Sequence, residues 1–270
     1  MAQIGTFSKY GIPIFEAEDV QEPAMPVDVG GQIGWINLVP YSKRDKPAVC
    51  CKINDELYGS SHSVNLMIDD FEDSDLSEYY SPSSSGSASI TSDPDYLLTS
   101  NSDHALLMDG DQDLRSMPGD GLPYYPQRGD IFEFYIRPTD FYNTPAFFRM
   151  NFGCQGYGTN NLYRIEWESN PTPGSDLSFE KRKYGDNVII RAPADGAGCR
   201  LDQTYRILVD WASSGNLLAV AAYDMSGDIV APADGTPLTF DDDEYVSGGI
   251  QWESNGYFGG VIDTCRTLPP

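Results

Sequence analysis

The densest group of side chains that could do chemistry is a set of six carboxylates within ten residues, with no basic residue among them. The set consists of Asp69, Asp70, Glu72, Asp73, Asp75 and Glu78. Carboxylate oxygens are ligands that Ca²⁺ prefers, and one ion takes about six to eight oxygens. The segment therefore indicates a candidate calcium site, although a hydrated acidic surface has the same composition. A second acidic run, at 241–244, fits such a solvated surface better.

Catalysis by paired carboxylates is the second chemistry to consider. Glu166 and Glu168 are two residues apart, so in a strand both carboxylates lie on one face. This is the nearest approach to the E-x-D-x-E pattern of retaining glucanases, but its third position is Glu and its fifth is Asn. Only His62 and His104 are available for a zinc site or a Ser-His-Asp triad, and no HExxH, GxSxG or phosphate loop occurs. We therefore predict that the chain is not an enzyme, with no catalytic residue and no cofactor site.

Aromatic side chains offer a third chemistry, because their faces stack on the rings of sugars. The chain contains 17 Tyr, 12 Phe and 4 Trp. The tyrosines that fall in predicted loops are Tyr124, Tyr125, Tyr142, Tyr157 and Tyr257. Each is a candidate sugar contact, and the alternative is that each packs on its own domain, so no ligand residue is assigned.

The five cysteines fit neither a metal motif nor a complete disulfide framework. They contain no CxxC pair, and the odd number leaves at least one thiol without a partner in the chain. Cys50 and Cys51 are adjacent, so in a strand they point to opposite faces and do not bond to each other. Cys154 and Cys199 either bridge two loops or remain free thiols.

The elements that must position these groups are β-strands. Residues 131–137 alternate, with Phe132, Phe134 and Ile136 on one face, which is typical of a half-buried strand. The same period recurs at 163–168, 205–211, 217–223 and 249–253, with turn sequences at 213–216 and 225–228. No window sustains an apolar stripe of helical period. The pattern predicts an all-β fold, a two-sheet jelly-roll sandwich, preceded by a small N-terminal β module with strands near 11–15, 32–39 and 48–53.

Charge divides the chain and excludes two classes of partner. Residues 1–65 hold 8 acids and 5 bases, whereas residues 66–270 hold 33 acids and 12 bases. We therefore predict a β module over 1–65, for docking or oligomerisation, and a sandwich domain over 66–270. The formal net charge of −24 repels nucleic acids and anionic membranes, and it is typical of proteins adapted to molar salt. No signal peptide and no membrane span is predicted, because neither an apolar h-region nor a run of about 18 apolar residues occurs.

Residues 68–79, IDDFEDSDLSEY, resemble the opening of concanavalin A-like (LamG-type) jelly-roll domains in haloarchaeal and haloarchaeal-virus proteins. Weaker matches at 121–126, 129–132, 246–250 and 261–263 extend the likeness over most of the chain after residue 65. This resemblance implies a β-sandwich used for carbohydrate or surface binding. It also implies that a structural calcium ion joins the opening segment to the last strand through Asp70, Glu72 and Asp263.

The segments YGIPIF at 10–15 and NDELY at 54–58 are similar to the short β modules that open structural proteins of haloarchaeal tailed viruses. That resemblance implies a protein on the outer surface of the virion, either a capsid turret or decoration protein or a tail fibre or baseplate attachment protein. We expect docking to other virion proteins through 1–65, a homo-oligomer such as a trimer or pentamer, and contact with host surface glycans. The alternatives are a cellular carbohydrate-binding protein or glycan-active enzyme with a concanavalin A-like domain, and an intracellular scaffold.

Overall fold

The structure, a computed structural model, divides into two units, Met1–Asn65 with Pro269–Pro270, and Leu66–Leu268. In the second unit it describes residues 66–268 except 74, 83–84, 101, 144, 158–160, 170–176, 184–185 and 195–198, and only the backbone of 186–194. In the first unit it describes the backbone of the strands.

The described part of the first unit consists of short antiparallel strands. They are β1 (Thr6–Phe7), β2 (Pro13–Ile14), β3 (Val27–Val29), β4 (Gln32–Asn37), β5 (Ala48–Ile53) and β6 (Glu56–Ser63). β1 pairs with β2, and β3 to β6 form a four-stranded sheet in chain order. β2 and β4 lie within two of the strands predicted from the sequence, and β5 has the bounds predicted for the third. The side chains of Cys50, Cys51 and His62 lie outside the described residues.

The described part of the second unit is almost entirely β-structure. Its strands are β7 (Met67–Asp69), β8 (Ser87–Thr91), β9 (Ala105–Asp109), β10 (Gln112–Ser116), β11 (Ile131–Phe141), β12 (Ala146–Cys154), β13 (Leu162–Ser169), β14 (Leu177–Lys183), β15 (Asp186–Ala194), β16 (Tyr205–Trp211), β17 (Leu217–Asp224), β18 (Ile229–Ala231), β19 (Leu238–Asp241), β20 (Gly249–Ser254) and β21 (Phe258–Leu268). A short 3₁₀-helix spans Pro94–Tyr96. Within the part of the chain that the structure describes, no helix has the length and apolar character needed to cross a bilayer.

These strands form two antiparallel sheets that enclose one hydrophobic core. The strand order is β10, β20, β12, β13, β14, β15 in the six-stranded sheet. In the nine-stranded sheet it is β18, β17, β16, β11, β21, β9, β8, with β19 also paired to β17 and β7 to β21. Neighbouring strands are often distant in sequence, so the chain crosses repeatedly between the sheets. The predicted fold class, an all-β two-sheet jelly-roll sandwich preceded by a β module, is confirmed.

The period-2 alternation of the sequence decides which side chains enter this core. In β11, Phe132, Phe134 and Ile136 are buried, as predicted. The other strands predicted from alternation correspond to β13, β16, β17 and β20. The predicted turns at 213–216 and 225–228 connect β16 to β17 and β17 to β18.

Aromatic side chains join the two sheets across the core. Phe134 of β11 packs edge-on against Trp252 of β20 with ring centroids 5.2 Å apart, and Phe152 of β12 packs on Trp211 of β16 at 4.9 Å. Such pairs contribute about 0.5–1.5 kcal/mol beyond the burial of their area. Gly153 follows Phe152 with a φ of 62°, and a Cβ there would lie 3.0 Å from the Trp211 ring. Glycine is therefore required by both the backbone and the packing.

Candidate functional site

The outer face of the six-stranded sheet carries two rows of polar side chains that the strand register sets opposite one another. From β10 across β20, β12 and β13 to β14, the first row is Asp113, Glu253, Arg149, Glu166 and Ser178. The second row, in the same strand order, is Arg115, Gln251, Asn151, Arg164 and Glu180. Side chains directly opposite on antiparallel strands are close enough to interact. The sheet therefore brings together charges that lie far apart in sequence.

Arg149 occupies the centre of the first row and binds the carboxylates on both sides. Its Nε donates to Glu166 and its Nη1 donates to Glu253. Glu253 also accepts from Nη2 of Arg164 at 3.0 Å, and Nε of Arg164 donates to Oδ1 of Asn151 at 2.8 Å. We call Arg149, Arg164, Glu166 and Glu253 the ion network. Each of its carboxylates is matched to a guanidinium.

The ion network holds Glu253 as a carboxylate. Burial raises the pKa of Glu253, but the charges of Arg164 and Arg149 and the hydrogen bonds from Arg149 and Asn151 lower it overall. Burial lowers the pKa of Arg164 to about 10, so its guanidinium stays charged at neutral pH. Hydrolysis by two carboxyl groups needs one of them protonated as the general acid. Glu253 is not poised for that role.

The glutamates nearest to a glucanase pattern lie on β13. Glu166 and Glu168 face the same side of the sheet, as the alternation predicts, and Trp167 between them is buried in the core. Glu166 is bound by Arg149, whereas Glu168 lies opposite Phe147 of β12. The pair therefore shares a face, but Glu166 belongs to the ion network.

Two exposed tyrosines lie at the β10 edge of this sheet. Tyr80 and Arg115 form an antiparallel β-bridge with two backbone hydrogen bonds of 2.8 and 2.9 Å. Directly opposite residues face the same side, so the Tyr80 side chain lies on the outer face with that of Arg115. The Tyr80 ring contacts the ring of Tyr157, with centroids 5.3 Å apart and planes at 71°. The Tyr157 hydroxyl donates to Asp120, which also accepts the N–H of Met117 at 2.6 Å. We call Tyr80, Tyr157 and Asp120 the tyrosine rim.

The tyrosine rim faces solvent, and the Tyr157 hydroxyl stays protonated at neutral pH. Tyr80 is 54% exposed and Tyr157 is 38% exposed. The hydrogen bond to Asp120 is the main cause that raises the pKa of Tyr157 to about 12, with smaller contributions from burial and from the Asp120 charge. The sequence pointed to Tyr157 but missed Tyr80 and Asp120. Successive residues in an extended chain face opposite sides, so only one of two adjacent tyrosines can enter the core. Tyr79 is the buried one, and Tyr80 therefore faces outward.

The other tyrosines predicted as sugar contacts fall into two groups. Tyr124 and Tyr125 pack against the core, and their hydroxyls are hydrogen-bonded within the domain at 2.7 Å. Tyr142 and Tyr257 are exposed, and the Tyr142 hydroxyl donates to Asp109 at 2.6 Å. Tyr142 therefore resembles Tyr157 in being exposed and in donating to an aspartate, but its partner Asp109 belongs to β9 of the nine-stranded sheet.

The three carboxylates predicted to share a calcium ion each bind a different part of the backbone. Glu72 accepts from two N–H groups in the loop before β9, at 2.7 and 3.1 Å, and from the His104 ring. Burial raises the pKa of Glu72, but these hydrogen bonds, led by that from His104, lower it overall. Asp263 is fully buried and accepts two N–H groups after the 3₁₀-helix, at 2.8 and 3.1 Å. Asp70 accepts the N–H of Glu72 at 3.2 Å.

A different set of carboxylates lies together. Within the described residues, Asp73, Asp75 and Glu78 each supply one carboxylate oxygen, and these oxygens lie within 4.8 Å of one another. All three belong to the acidic stretch singled out in the sequence. The sequence could not show which of the six acids converge, because that depends on how the segment turns.

The described cysteines are free thiols. Cys154, Cys199 and Cys265 are buried and unbonded to one another. Of the two alternatives for Cys154 and Cys199, the structure therefore contains the free thiols. Burial raises the pKa of Cys154 to about 12, which leaves its thiol protonated and unreactive at neutral pH.

No family model matches the chain, and no curated protein matches it. Solved structures that resemble it include lectin II from Ulex europaeus, with a TM-score of 0.46 and 11% identity over 77% of this chain and 98% of that one. A glycoside hydrolase family 16 endo-glucanase from Bacteroides ovatus has a TM-score of 0.48 and 14% identity over 76% and 99%. A protein of unknown function with a galectin-like fold from Bacillus subtilis has a TM-score of 0.46 and 12% identity over 76% and 94%. At these identities the likeness concerns the fold alone.

Proposed function

We propose that the chain is a non-catalytic glycan-binding protein that holds sugar rings at the tyrosine rim. The observation that carries this proposal is the contact between two exposed tyrosine rings, Tyr80 and Tyr157, beside the carboxylate of Asp120. Sugars present C–H faces that pack on aromatic rings and hydroxyl groups that donate to carboxylates. The tyrosine rim offers both kinds of contact within one exposed patch.

Asp120 is oriented to accept a sugar hydroxyl. Its hydrogen bonds from the Tyr157 hydroxyl and the Met117 N–H both end on Oδ2. Among the described residues no donor reaches Oδ1, so a ligand hydroxyl would displace only solvent there. Nearby, Asp113 fixes the plane of the Arg115 guanidinium by accepting from Nε at 2.8 and 3.0 Å. The polar groups around the rings are thus arranged before any ligand binds, which lowers the entropy cost of binding.

The ion network supports binding without hydrolysis. A general acid needs a raised pKa near the working pH, whereas the pKa of Glu253 is lowered because Arg164 and Arg149 outweigh its burial. Glu166 is bound by Arg149. Either carboxyl group would have to leave an arginine before it could act on a substrate.

We further propose that this binding surface is displayed on a haloarchaeal tailed virus particle. The support for this part is the resemblance of residues 10–15, 54–58 and 68–79 to haloarchaeal and viral proteins, together with the net charge of −24. The module over 1–65 would dock to other virion proteins. A symmetric homo-oligomer would repeat the tyrosine rim, so that weak sugar contacts add up through avidity.

Glycan binding is tested with the full chain in molar NaCl on an array of neutral and acidic oligosaccharides. We expect Tyr157→Ala and Tyr80→Ala to weaken binding by up to about tenfold, because aromatic stacking contributes about 0.5–1.5 kcal/mol. Tyr142→Ala is the matched control, since it removes another exposed tyrosine that also donates to an aspartate. We expect this control to bind as the unmodified chain does.

Three results would count against the proposal. Absence of any array binding by the unmodified chain would overturn glycan binding itself. Loss of binding in Tyr142→Ala alone would place the site at another edge of the sandwich. Release of reducing sugar by the unmodified chain, lost in Glu166→Gln, would establish the glycan-active enzyme as the correct alternative. For the virion part, mass spectrometry of purified particles is expected to find the chain in many copies, and its absence would favour a cellular carbohydrate-binding protein.

A further inference from the structure

Within the segment between β7 and β8, two buried aromatic side chains flank the acidic stretch at 72–78. Phe71 is fully buried, and its φ of 61° turns the chain sharply. Tyr79 is buried, and its hydroxyl is hydrogen-bonded to Asp69 and to Trp252. The acidic stretch is therefore attached to the core of the sandwich on both sides.

Three of these carboxylates converge without a basic partner. One oxygen each from Asp73, Asp75 and Glu78 lies within 4.8 Å of the other two. Among the described residues, no lysine, arginine or histidine forms an ion pair with any of the three. Like charges at this spacing repel one another, so the arrangement is costly unless something positive lies between them.

Glu78 supplies a second and independent observation. It is only 6% exposed, and its Oε1 is buried with no hydrogen-bond partner among the described residues. A buried carboxylate oxygen without a partner is expensive, and such atoms in folded proteins usually mark an unseen water or ion. A cation between the three groups would offset their mutual repulsion and place a positive charge beside the buried Glu78 carboxylate.

We propose that Asp73, Asp75 and Glu78 form a binding site for one divalent cation, and that the ion is Ca²⁺. Calcium binds oxygen at about 2.3–2.6 Å, so two of its ligand oxygens are at most about 5 Å apart. The three oxygens lie within 4.8 Å of one another, which is compatible with that spacing. Magnesium demands a near-ideal octahedron and is usually held by one or two carboxylates, so a site with three protein carboxylates favours calcium. Because Asp73 and Asp75 are exposed, water completes the coordination on the open side.

This site differs from the one that the sequence resemblance implied. The carboxylates implied by the resemblance accept hydrogen bonds from backbone N–H groups, and they are not among the three that converge. They are Asp70, Glu72 and Asp263. The proposed ion is held within a single loop and takes no ligand from the last strand. Its role is to fix the segment that leads from β7 into Tyr79.

The test is calcium binding by the full chain. Protein stripped with EDTA and dialysed into molar NaCl is titrated with CaCl₂, and separately with MgCl₂, by isothermal titration calorimetry. Molar salt screens the diffuse attraction of cations to the acidic surface, so a saturable heat reports a built site. We expect one site per chain, tighter for Ca²⁺ than for Mg²⁺, and a Tm that rises when CaCl₂ is added.

Two variants and a control decide where the ion binds. Glu78→Gln removes the charge of a buried side chain and keeps its shape. Asp73→Asn changes an exposed side chain, so it remains informative even if the Glu78→Gln variant does not fold. We expect each to weaken Ca²⁺ at least about tenfold. Asp243→Asn removes one charge from the other acidic run and is expected to bind as the unmodified chain does.

The proposal is overturned if the unmodified chain shows no saturable heat and no change in Tm with CaCl₂. It is also overturned if Glu78→Gln and Asp73→Asn both keep the unmodified affinity. Loss of binding in Asp70→Asn and Asp263→Asn alone would move the ion to the set implied by resemblance. None of these measurements involves a sugar, so their outcome is independent of the glycan-binding proposal.

Discussion

The hydroxyl of Tyr79 donates a hydrogen bond to the carboxylate of Asp69 inside the sandwich. Asp69 ends β7 on the nine-stranded sheet, and the same hydroxyl accepts from Nε1 of Trp252 on the six-stranded sheet at 3.1 Å. All three side chains are buried. The two sheets are therefore joined by a short chain of hydrogen bonds as well as by apolar packing.

Tyr79→Phe is expected to destabilise the fold by about 2–4 kcal/mol, because it leaves buried groups of both Asp69 and Trp252 without their partner. Denaturant unfolding followed by tryptophan fluorescence measures this difference. Tyr80→Phe is the control, since the next tyrosine along the chain is exposed and should change stability by less than about 0.5 kcal/mol. Equal stability of the two variants would show that the hydroxyl of Tyr79 contributes nothing.

The contribution of Asp69 to the stability of the cation-free protein should fall as the pH rises towards neutrality. Burial raises the pKa of Asp69 to about 7, although hydrogen bonds from Tyr79 and Phe71 lower it, and the charges of Glu78 and Asp73 raise it further. The folded-state pKa therefore lies above the unfolded value of 3.8. As the pH rises, the unfolded chain loses this proton first. The contribution of Asp69 to the unfolding free energy is therefore complete below about pH 4, falls between about pH 4 and pH 7, and is absent at higher pH. The loss is at most about 4 kcal/mol.

The measurement is the difference in unfolding free energy between the unmodified chain and Asp69→Asn, in EDTA from pH 4 to pH 8. Groups such as Glu253, whose pKa is lowered because its arginine partners outweigh burial, change stability in the opposite sense. These groups are present in both proteins, so subtracting one unfolding free energy from the other cancels their contribution. We expect the variant to gain relative to the unmodified chain as the pH rises, with a plateau above about pH 7. A difference that does not depend on pH would mean that Asp69 is ionised throughout.

The strands could be predicted where one face of the sheet is apolar and the other polar. Residues 131–137 and 205–211 alternate because their inward residues fill the core. β12 was not predicted, since the adjacent Phe147 and Phe148 break the period at its start. Phe148 enters the core, whereas Phe147 lies on the outer face with its ring 3.7 Å from the Arg149 guanidinium. Phe147 and Arg149 are two residues apart and share the outer face, so an aromatic residue there is compatible with a strand although it interrupts the apolar–polar alternation.

The sites were harder to predict, because they depend on register between distant strands. Arg149, Glu166 and Glu253 meet only because β12 lies between β13 and β20. The acidic run at 241–244 was interpreted as solvated, and this is wrong for Asp242, whose side chain is only 9% exposed. Asp242 binds Lys181 of β14, whose side chain is largely buried, whereas Glu244 binds the same lysine from an exposed position. Composition alone could not distinguish Asp242 from its exposed neighbours.

Removing the central arginine of the ion network should destabilise the sandwich. Arg149→Met removes the guanidinium that binds the buried carboxylate of Glu166, which we expect to cost about 2–4 kcal/mol. Adding Glu166→Gln to this variant removes the charge that Arg149 had balanced and should recover about half of the loss. The free energies come from guanidinium unfolding of the single and double variants. Equal stability of the two would show that Glu166 is not charged or not paired in the folded state.

The buried cysteines should be protected from alkylation in the folded protein. Cys154, Cys199 and Cys265 are free and buried, and burial raises the pKa of Cys154 to about 12 and that of Cys265 well above its ordinary value. In a Cys50→Ser/Cys51→Ser background, we expect iodoacetamide at pH 8 to add nothing to the native chain and three groups after denaturation without reductant, as counted by mass spectrometry. A single group after denaturation would instead reveal a disulfide between two of the three. Rapid alkylation of the native chain would show that the edges of the sandwich open on the timescale of the reaction, because these thiols react only when solvent reaches them.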